Sequence, residues 1–289
     1  MYNKTRVSRT QANLFILICL SMLTILLIWN ATLRVDSFST GQAELAEHSV
    51  RAAADEVALL INGYKRSVHI FADDNQAYIR SVAEWPQDAG LHAILDERIA
   101  KFFPEYFAFT LADSTGNRVL EGFEGLVGPR CRSDIQEFAS GDTDQLVYIH
   151  QGPEGIPPHY DIMAHWGSEK QGGDIFFVSF KTGTLERTLA NTGVAGQSIY
   201  LLRRNDPGKI DLAINGSGDF LSADKRLDTD ELQRISHSVS VPGTLWDVAI
   251  VPNKSLYADA YSSILVQSLV IFIGFLVISI IMRMLLLNE

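Results

Sequence analysis

Three histidines and an aspartate fall within one short stretch of the chain: His150, His159, Asp161 and His165. Residues 159–166 (HYDIMAHW) read as a strand, and on a strand alternate side chains share a face. His159, Asp161, Met163 and His165 therefore lie together, with Tyr160, Ile162 and Ala164 opposite. His and Asp are common ligands of transition metals. The plainer reading is that these histidines are solvated or hydrogen-bonded on the sheet, and it is favoured, so neither a metal nor a cofactor is expected. Other chemistry finds no foothold. The chain has no G-x-S-x-G elbow, no phosphate-binding G-x-x-x-x-G-K-[ST] loop and no H-E-x-x-H pair. Asp224, Asp228, Asp230 and Glu231 cluster without the glycine and bidentate glutamate of a calcium loop. They read as a solvated helix start. No catalytic residue is expected, and the chain is not read as an enzyme.

The elements that would carry these residues sit between two apolar runs. Residues 264–282 (ILVQSLVIFIGFLVISIIM) contain no charge and, as a helix, span roughly 30 Å, the hydrocarbon thickness of a bilayer. Residues 14–29 (LFILICLSMLTILLIW) form a matching run, extendable through Leu33. It is read as an uncleaved anchor rather than a signal peptide, because it lacks a clean small-x-small cleavage site. Lys4, Arg6 and Arg9 precede the first run and Arg283 follows the second. By the positive-inside rule both termini are expected in the cytoplasm and residues from about 34 to 262 outside. The protein is thus expected in a membrane, with the lipid bilayer as a partner. The net charge of −10 is concentrated in the outer segment. Such a surface repels phosphate backbones, so nucleic-acid binding is excluded. Of the two cysteines, Cys19 lies in the first run and Cys131 in the outer segment, so no disulfide forms within that segment. Cys131 reads as a small buried apolar residue.

After the first run a heptad-like seam holds for four repeats: Ala43, Ala46, Val50, Ala53, Val57, Leu60, Tyr64, Ser67 and Phe71. It predicts a helix to about residue 84, roughly 70 Å long. The seam packs along the chain's own domain, or joins two copies as a homodimer through residues 43–71. A short helix follows at 91–103, stopped by Pro104. The period then falls from 3.6 to 2. Strands are predicted at 106–111 and 118–123, joined by a turn with Gly116 at positive φ. A helix is predicted at 133–138, capped by Ser133 or Asp134, and strands at 145–150, 159–166 and 174–180. A linking helix at 184–190 leads to a second set: strands at 198–202, 209–214, 237–241 and 245–251, with a helix near 230–235. Pro207-Gly208 and Pro242-Gly243 read as hairpin-type turns. A last helix from about Asn253 continues into the second run.

The block AFTLADSTGNRVLEGFEGLVGPRCRSDIQEFASG, followed by YIH, HYDIMAHW and GGDIFFVSF, resembles the extracytoplasmic Cache-type (PAS-like) sensor regions of bacterial membrane-bound diguanylate cyclases and related signalling receptors. The likeness extends over roughly residues 30–282, down to the GTLWDVAIVP segment. It implies an α+β fold: a long N-terminal helix and tandem PAS-like (double Cache) antiparallel-sheet modules between two transmembrane helices. The first sheet would have five strands and the second would be smaller. The expected segments are a tail at 1–13, spans at 14–33 and 257–283, a stalk helix at 34–84, a membrane-distal module at 85–192, a membrane-proximal module at 193–256 and a tail at 284–289. Gly172-Gly173-Asp174 does not mark a GGDEF-type cyclase site, and the sequence carries no output domain of that kind.

The resemblance also implies a ligand pocket on the sheet face covered by loops and short helices. Its candidates are Tyr148, His150, Tyr160, Asp161, Phe177 and Ser179, with Arg130 and Arg132 from the covering segment. An arginine there could grip a carboxylate bidentately. The arginine clamp of amino-acid-binding Cache domains is not evident, which leaves the ligand class open. The expected function is a membrane-anchored sensor that binds a small molecule and passes a conformational signal to a separate cytoplasmic or membrane signalling partner. Two other readings stand beside it: an envelope scaffold with no small ligand, and a remnant of a longer sensor cyclase or kinase.

Overall fold

The computed structural model describes residues 9–120, 129–141, 145–151, 156–167, 173–215, 220–221 and 225–288. The chain divides into two compact units, one made of Met1–Leu45 with Asn253–Glu289 and the other of Ala46–Pro252.

The first unit holds the start of helix α1 (Arg9–Asp74) and helix α7 (Lys254–Asn288). Both are long and apolar enough to cross a membrane, with mean hydropathies of 2.4 and 2.8 over their most apolar windows. Leu14, Ile25, Trp29, Leu269 and Ile281 all point outward, as a lipid-facing helix requires. The hydroxyls of Ser21, Thr24 and Thr32 donate back to the carbonyls four residues earlier, so they add no unsatisfied polar group. Within this unit Arg34 Nη1 donates to Gln267 Oε1 at 2.8 Å, and the Phe38 and Tyr257 rings meet edge to face.

In the second unit the remainder of α1 buries the predicted seam. Ala46, Val50, Ala53, Val57 and Phe71 are at most 2% exposed, within the chain's own core. The helix therefore packs along its own domain, and these residues are not free to form a homodimer seam. The predicted single helix to residue 84 is interrupted at Asn75. Asn75 leaves helical geometry at φ −110° and ψ 16°, while its side-chain amide (2.9 Å) and its backbone N–H (3.0 Å) both donate to the Phe71 carbonyl. Helix α2 (Gln76–Glu84) follows, and then α3 (Ala89–Phe102), whose N-cap Asp88 accepts from the Gly90 and Leu91 amides.

The first sheet contains β1 (Tyr106–Ala112), β2 (Ile149–His150), β3 (His159–Trp166) and β4 (Asp174–Lys181), all antiparallel in the order β1-β4-β3-β2. One face packs on α1 through Tyr64 against Phe180 and Tyr160 and through Phe71 against Phe176, with Phe103 at the end of α3 also against Phe71. Fully burying each large apolar side chain of this kind contributes about 1.5–3 kcal/mol. The other face is covered by α4 (Pro129–Ala139), whose Cys131 and Ile135 pack over Ala108, Met163, Ile175 and Phe177.

The five-strand expectation for this sheet is corrected to four strands among the described residues. At the predicted 118–123 strand, Arg118 makes only an isolated bridge to Ala112, and residues 121–123 lie outside the described residues. The predicted 145–150 strand shortens to β2 because Val147 turns away to bridge Thr244. Helix α4 begins earlier than predicted, on Pro129, whose missing N–H costs nothing at a first helical position. Gly116 sits at φ 81°, as the turn demands, and a Cβ there would stand 2.8 Å from Gln136 Cα of α4.

Helix α5 (Gly183–Asn191) leads to the second sheet: β5 (Gln197–Arg203), β6 (Ile210–Ile214), β7 (Phe220–Leu221), β8 (His237–Ser240) and β9 (Trp246–Pro252), in the order β7-β6-β5-β9-β8. Among the described residues it has five strands and is not the smaller of the two. The expectation missed β7, a two-residue strand. Helix α6 (Thr229–Gln233) opens with a capping box between Asp228 and Glu231. Those two residues of the acidic cluster thus cap a helix, and Asp224 lies outside the described residues.

Hydrogen bonds among the described residues tie the sheets together. Lys65 Nζ of α1 donates to the Gln145 carbonyl (2.6 Å) and to the Gly243 carbonyl (3.2 Å). Leu245 N donates to the Val147 carbonyl at 2.9 Å. Buried Arg203 donates to the Ile149 carbonyl at 2.6 Å while gripping Asp211 through two 2.8 Å bonds. Asp211 also accepts from the Trp246 indole.

Candidate functional site

Alternation in β3 aims His159 and Asp161 at the α4 side, and β4 aims Ser179 and Phe177 at the same side. Ser179 is the register partner of Asp161, and its hydroxyl donates to Asp161 Oδ1 at 2.6 Å. Helical spacing on α4 brings Arg130, Cys131 and Asp134 down onto this face from above. Tyr148 and His150, two residues apart, complete the wall.

These side chains enclose a cleft of about 550 Å³ whose lining includes Arg130, Asp134, Glu137, Tyr148, His150 and Asp161. Three carboxylates against one guanidinium give it an acidic interior. A neighbouring cleft of about 440 Å³, across Tyr148 and His150, is lined by Arg130, Arg203 and Lys209 against the single carboxylate of Asp206 and is basic.

His150 is the centre of the arrangement. Its Nε2 lies 3.2 Å from Asp134 Oδ2 and 3.3 Å from Asp161 Oδ2, and its Nδ1 lies 3.6 Å from Cys131 Sγ. The ring is stacked between Tyr148 (4.4 Å) and His159 (5.5 Å). His159 Nδ1 faces the Pro157 carbonyl at 3.0 Å, which leaves Nε2 toward Cys131 at 3.9 Å. Tyr148 donates its hydroxyl to Asp134 and accepts from Arg130 Nε at 3.1 Å. Burial, foremost, pushes the Tyr148 phenol up, so it stays a donor; the Arg130 hydrogen bond pulls the other way. Asp161 is 3% exposed, and its Oδ2 accepts no hydrogen bond: His150 Nε2 is near enough but off the line a donor needs. A buried carboxylate oxygen left in that state costs free energy.

Of the residues predicted for the pocket, Arg130, Tyr148, His150, Asp161 and Ser179 come together here. Phe177 lies beneath them as apolar floor. Arg132 is exposed on α4 and does not line the cleft. Tyr160 is a correction: alternation turns it to the α1 face, where it packs on Tyr64 and Phe180 with no exposure. His165 stacks on Phe138 and bonds the Gly173 carbonyl, apart from the cluster. Sequence reasoning missed Asp134, which was read as a cap, and Cys131, which was read as packing. The signal was the i, i+3 and i, i+4 spacing of Cys131, Asp134 and Arg130 on one helix. It also missed Gln145, whose side-chain amide donates to the Asp161 carbonyl at 2.9 Å and accepts from the Met163 amide at 3.0 Å, as a strand would.

No family model matches the chain, and no curated protein matches it in sequence. Solved structures do match. The ligand-binding domain of the Pseudomonas fluorescens chemoreceptor CtaA, in complex with L-valine, superposes with a TM-score of 0.51 at 16% identity, over 74% of this chain and 99% of that one. This unit has the fold of a Cache-type sensor domain. The ligand-binding domain of the Pseudomonas aeruginosa PAO1 amino acid chemoreceptor PctB, in complex with L-Gln, gives a TM-score of 0.49 at 14% identity over 74% of this chain and 90% of that one. The sensor domain of the V. cholerae histidine kinase DctB gives 0.49 at 13% over 74% and 98%. The CtaA superposition carries the fold assignment. It agrees with the α+β architecture and the long N-terminal helix that the sequence resemblance implied. These neighbours are ligand-binding and sensor domains of receptors and a kinase.

Proposed function

We propose that the chain is a membrane-anchored sensor: the acidic cleft beneath α4 takes a small ligand, and its occupancy biases a two-state equilibrium read by a signalling partner. The observation that carries this is Asp161 Oδ2, a buried carboxylate oxygen without a hydrogen bond, turned into a cleft of ligand size. The neighbours bind their ligands on the same fold, and L-valine and L-Gln both carry an ammonium group of the kind an acidic cleft attracts. In this reading the two sheets are tandem PAS-like modules, with the first (85–192) distal from the membrane and the second (193–256) proximal to it. The two apolar helices span the inner membrane with both termini cytoplasmic, which the positive flanks support. A ligand moves such an equilibrium only by its difference in affinity between the two states.

The test is a thermal-shift screen of the full chain in detergent against amino acids, amines, organic acids and divalent cations. A ligand that raises the melting temperature of the native chain and not of an Asp161→Asn variant is the expected result. Flat melting temperatures across the whole set overturn the reading.

A further inference from the structure

We propose that Asp134, His150 and Asp161 form a binding site for a divalent transition-metal ion of the zinc class, open on one side to the cleft. This rests on the cleft being the sensor's ligand site and names the ligand's chemistry. The donor atoms of the three residues all lie within 4.8 Å of one another. His150 Nε2 stands 3.2 and 3.3 Å from the two carboxylate oxygens. A tetrahedral ion with bonds of about 2.0–2.2 Å separates its ligands by about 3.3–3.6 Å. Two of the three edges are thus already close to the spacing of such a site, and the third is no longer than 4.8 Å.

Each donor is also held by an outer partner, as metal ligands generally are. Tyr148 donates to Asp134 and Ser179 donates to Asp161. His150 Nδ1 lies at Cys131 Sγ; a proton on Nδ1 pointed at the sulfur leaves the Nε2 lone pair between the carboxylates. The uncompensated Asp161 Oδ2 is then explained, because a metal bond supplies what no hydrogen bond does. One imidazole and two carboxylates suit zinc and its neighbours rather than calcium, which takes six to eight oxygens. The fourth position faces the cleft, which Asp134, His150 and Asp161 all line. A second set, Cys131, His159 and Asp161, also has its donor atoms close together, but all three residues are buried. Cys131 and His159 act here as the support behind His150.

The experiment uses the full chain in detergent, stripped with a chelator and titrated with Zn²⁺ by calorimetry and with Co²⁺ by absorption spectroscopy. One equivalent is expected to bind, with Co²⁺ d–d bands of low coordination number and no thiolate-to-metal charge-transfer band. Asp161→Asn and His150→Gln should each weaken binding more than about 100-fold, and Tyr148→Phe, which leaves all three donors, about 10-fold. Cys131→Ser should retain one equivalent. Circular dichroism of each variant reports whether it is folded, and agreement between two different donor variants guards against a single misfolded one. A charge-transfer band that Cys131→Ser abolishes overturns the assignment in favour of the deeper set. Binding that neither donor variant changes overturns the site altogether. A stripped chain that takes no Zn²⁺ but still gains melting temperature from an organic ligand sinks the metal and leaves the sensor. Flat responses to both sink the two readings together.

Discussion

Each of the two sheets encloses charged side chains, and they differ in how those charges are satisfied. In the second sheet, the Arg203 and Asp211 side chains are only 5% and 0% exposed, and the Asp211 carboxylate accepts from Arg203 twice and from the Trp246 indole once. Arg203 spends a further N–H on the Ile149 carbonyl. In the first sheet, Asp161 is buried to the same degree, yet one of its oxygens accepts nothing, and two carboxylates converge on one imidazole. A completed network rigidifies a core, and an incomplete one is a standing cost unless something else completes it. Burial alone does not mark a binding site; a polar group left unsatisfied beside open space does.

The largest expected effect tests that contrast directly. Asp211→Ala strands the Arg203 guanidinium and should cost about 3–5 kcal/mol, the penalty for breaking a buried pair from one side. Asp161→Asn, at equal burial, keeps an acceptor for Ser179 and removes a charge, so the unliganded chain should change by less than about 1 kcal/mol or gain stability. Urea unfolding followed through tryptophan fluorescence measures both, since Trp246 is fully buried. Equal losses would erase the distinction. Next in size is Lys65→Met. It removes the ammonium that binds Gln145 and Gly243, at about 1–3 kcal/mol for two partly buried bonds. Hydrogen exchange should show protection falling in both sheets; a fall in one alone would mean that they are not tied through this residue. The smallest effect belongs to Asp113→Ala in the turn after β1, under about 1 kcal/mol at neutral pH for a solvated hydrogen-bonded turn. The Thr115 hydroxyl, chiefly, holds the Asp113 carboxyl below the ordinary range. Its folded value is therefore the lower one, and the stabilisation is present above about pH 4. It is lost as the pH falls through the folded value, so wild type and variant melting curves should converge in acid and separate above it.

Much of the fold was legible because single elements declared themselves. The alanine-rich seam of α1, the alternation of β3 and β4 and the glycine turns each follow from local rules. Among the described residues the failures were at short or borrowed elements and at helix ends. β2 shortened because Val147 bridges the other sheet, and two-residue β7 left no period to detect. The site was half legible. Parity paired Asp161 with His159 and set Tyr160 against them, but the pocket reading then counted Tyr160 among its walls. Asp134 escaped because the helix start was placed too late, which turned an inward carboxylate into a cap. Arg203 escaped because its bond to the Ile149 carbonyl joins residues 54 positions apart.

Gln145 has a consequence for how this molecule meets others in solution. β3 has eight residues and, among the described residues, β2 pairs with only two of them, so an open margin of peptide groups would invite a neighbour's strand to zip onto it. The Gln145 amide occupies the Asp161 carbonyl and the Met163 amide, the two groups such a strand would seize first. One side chain thus stands in for a missing strand and discourages edge-to-edge polymerisation.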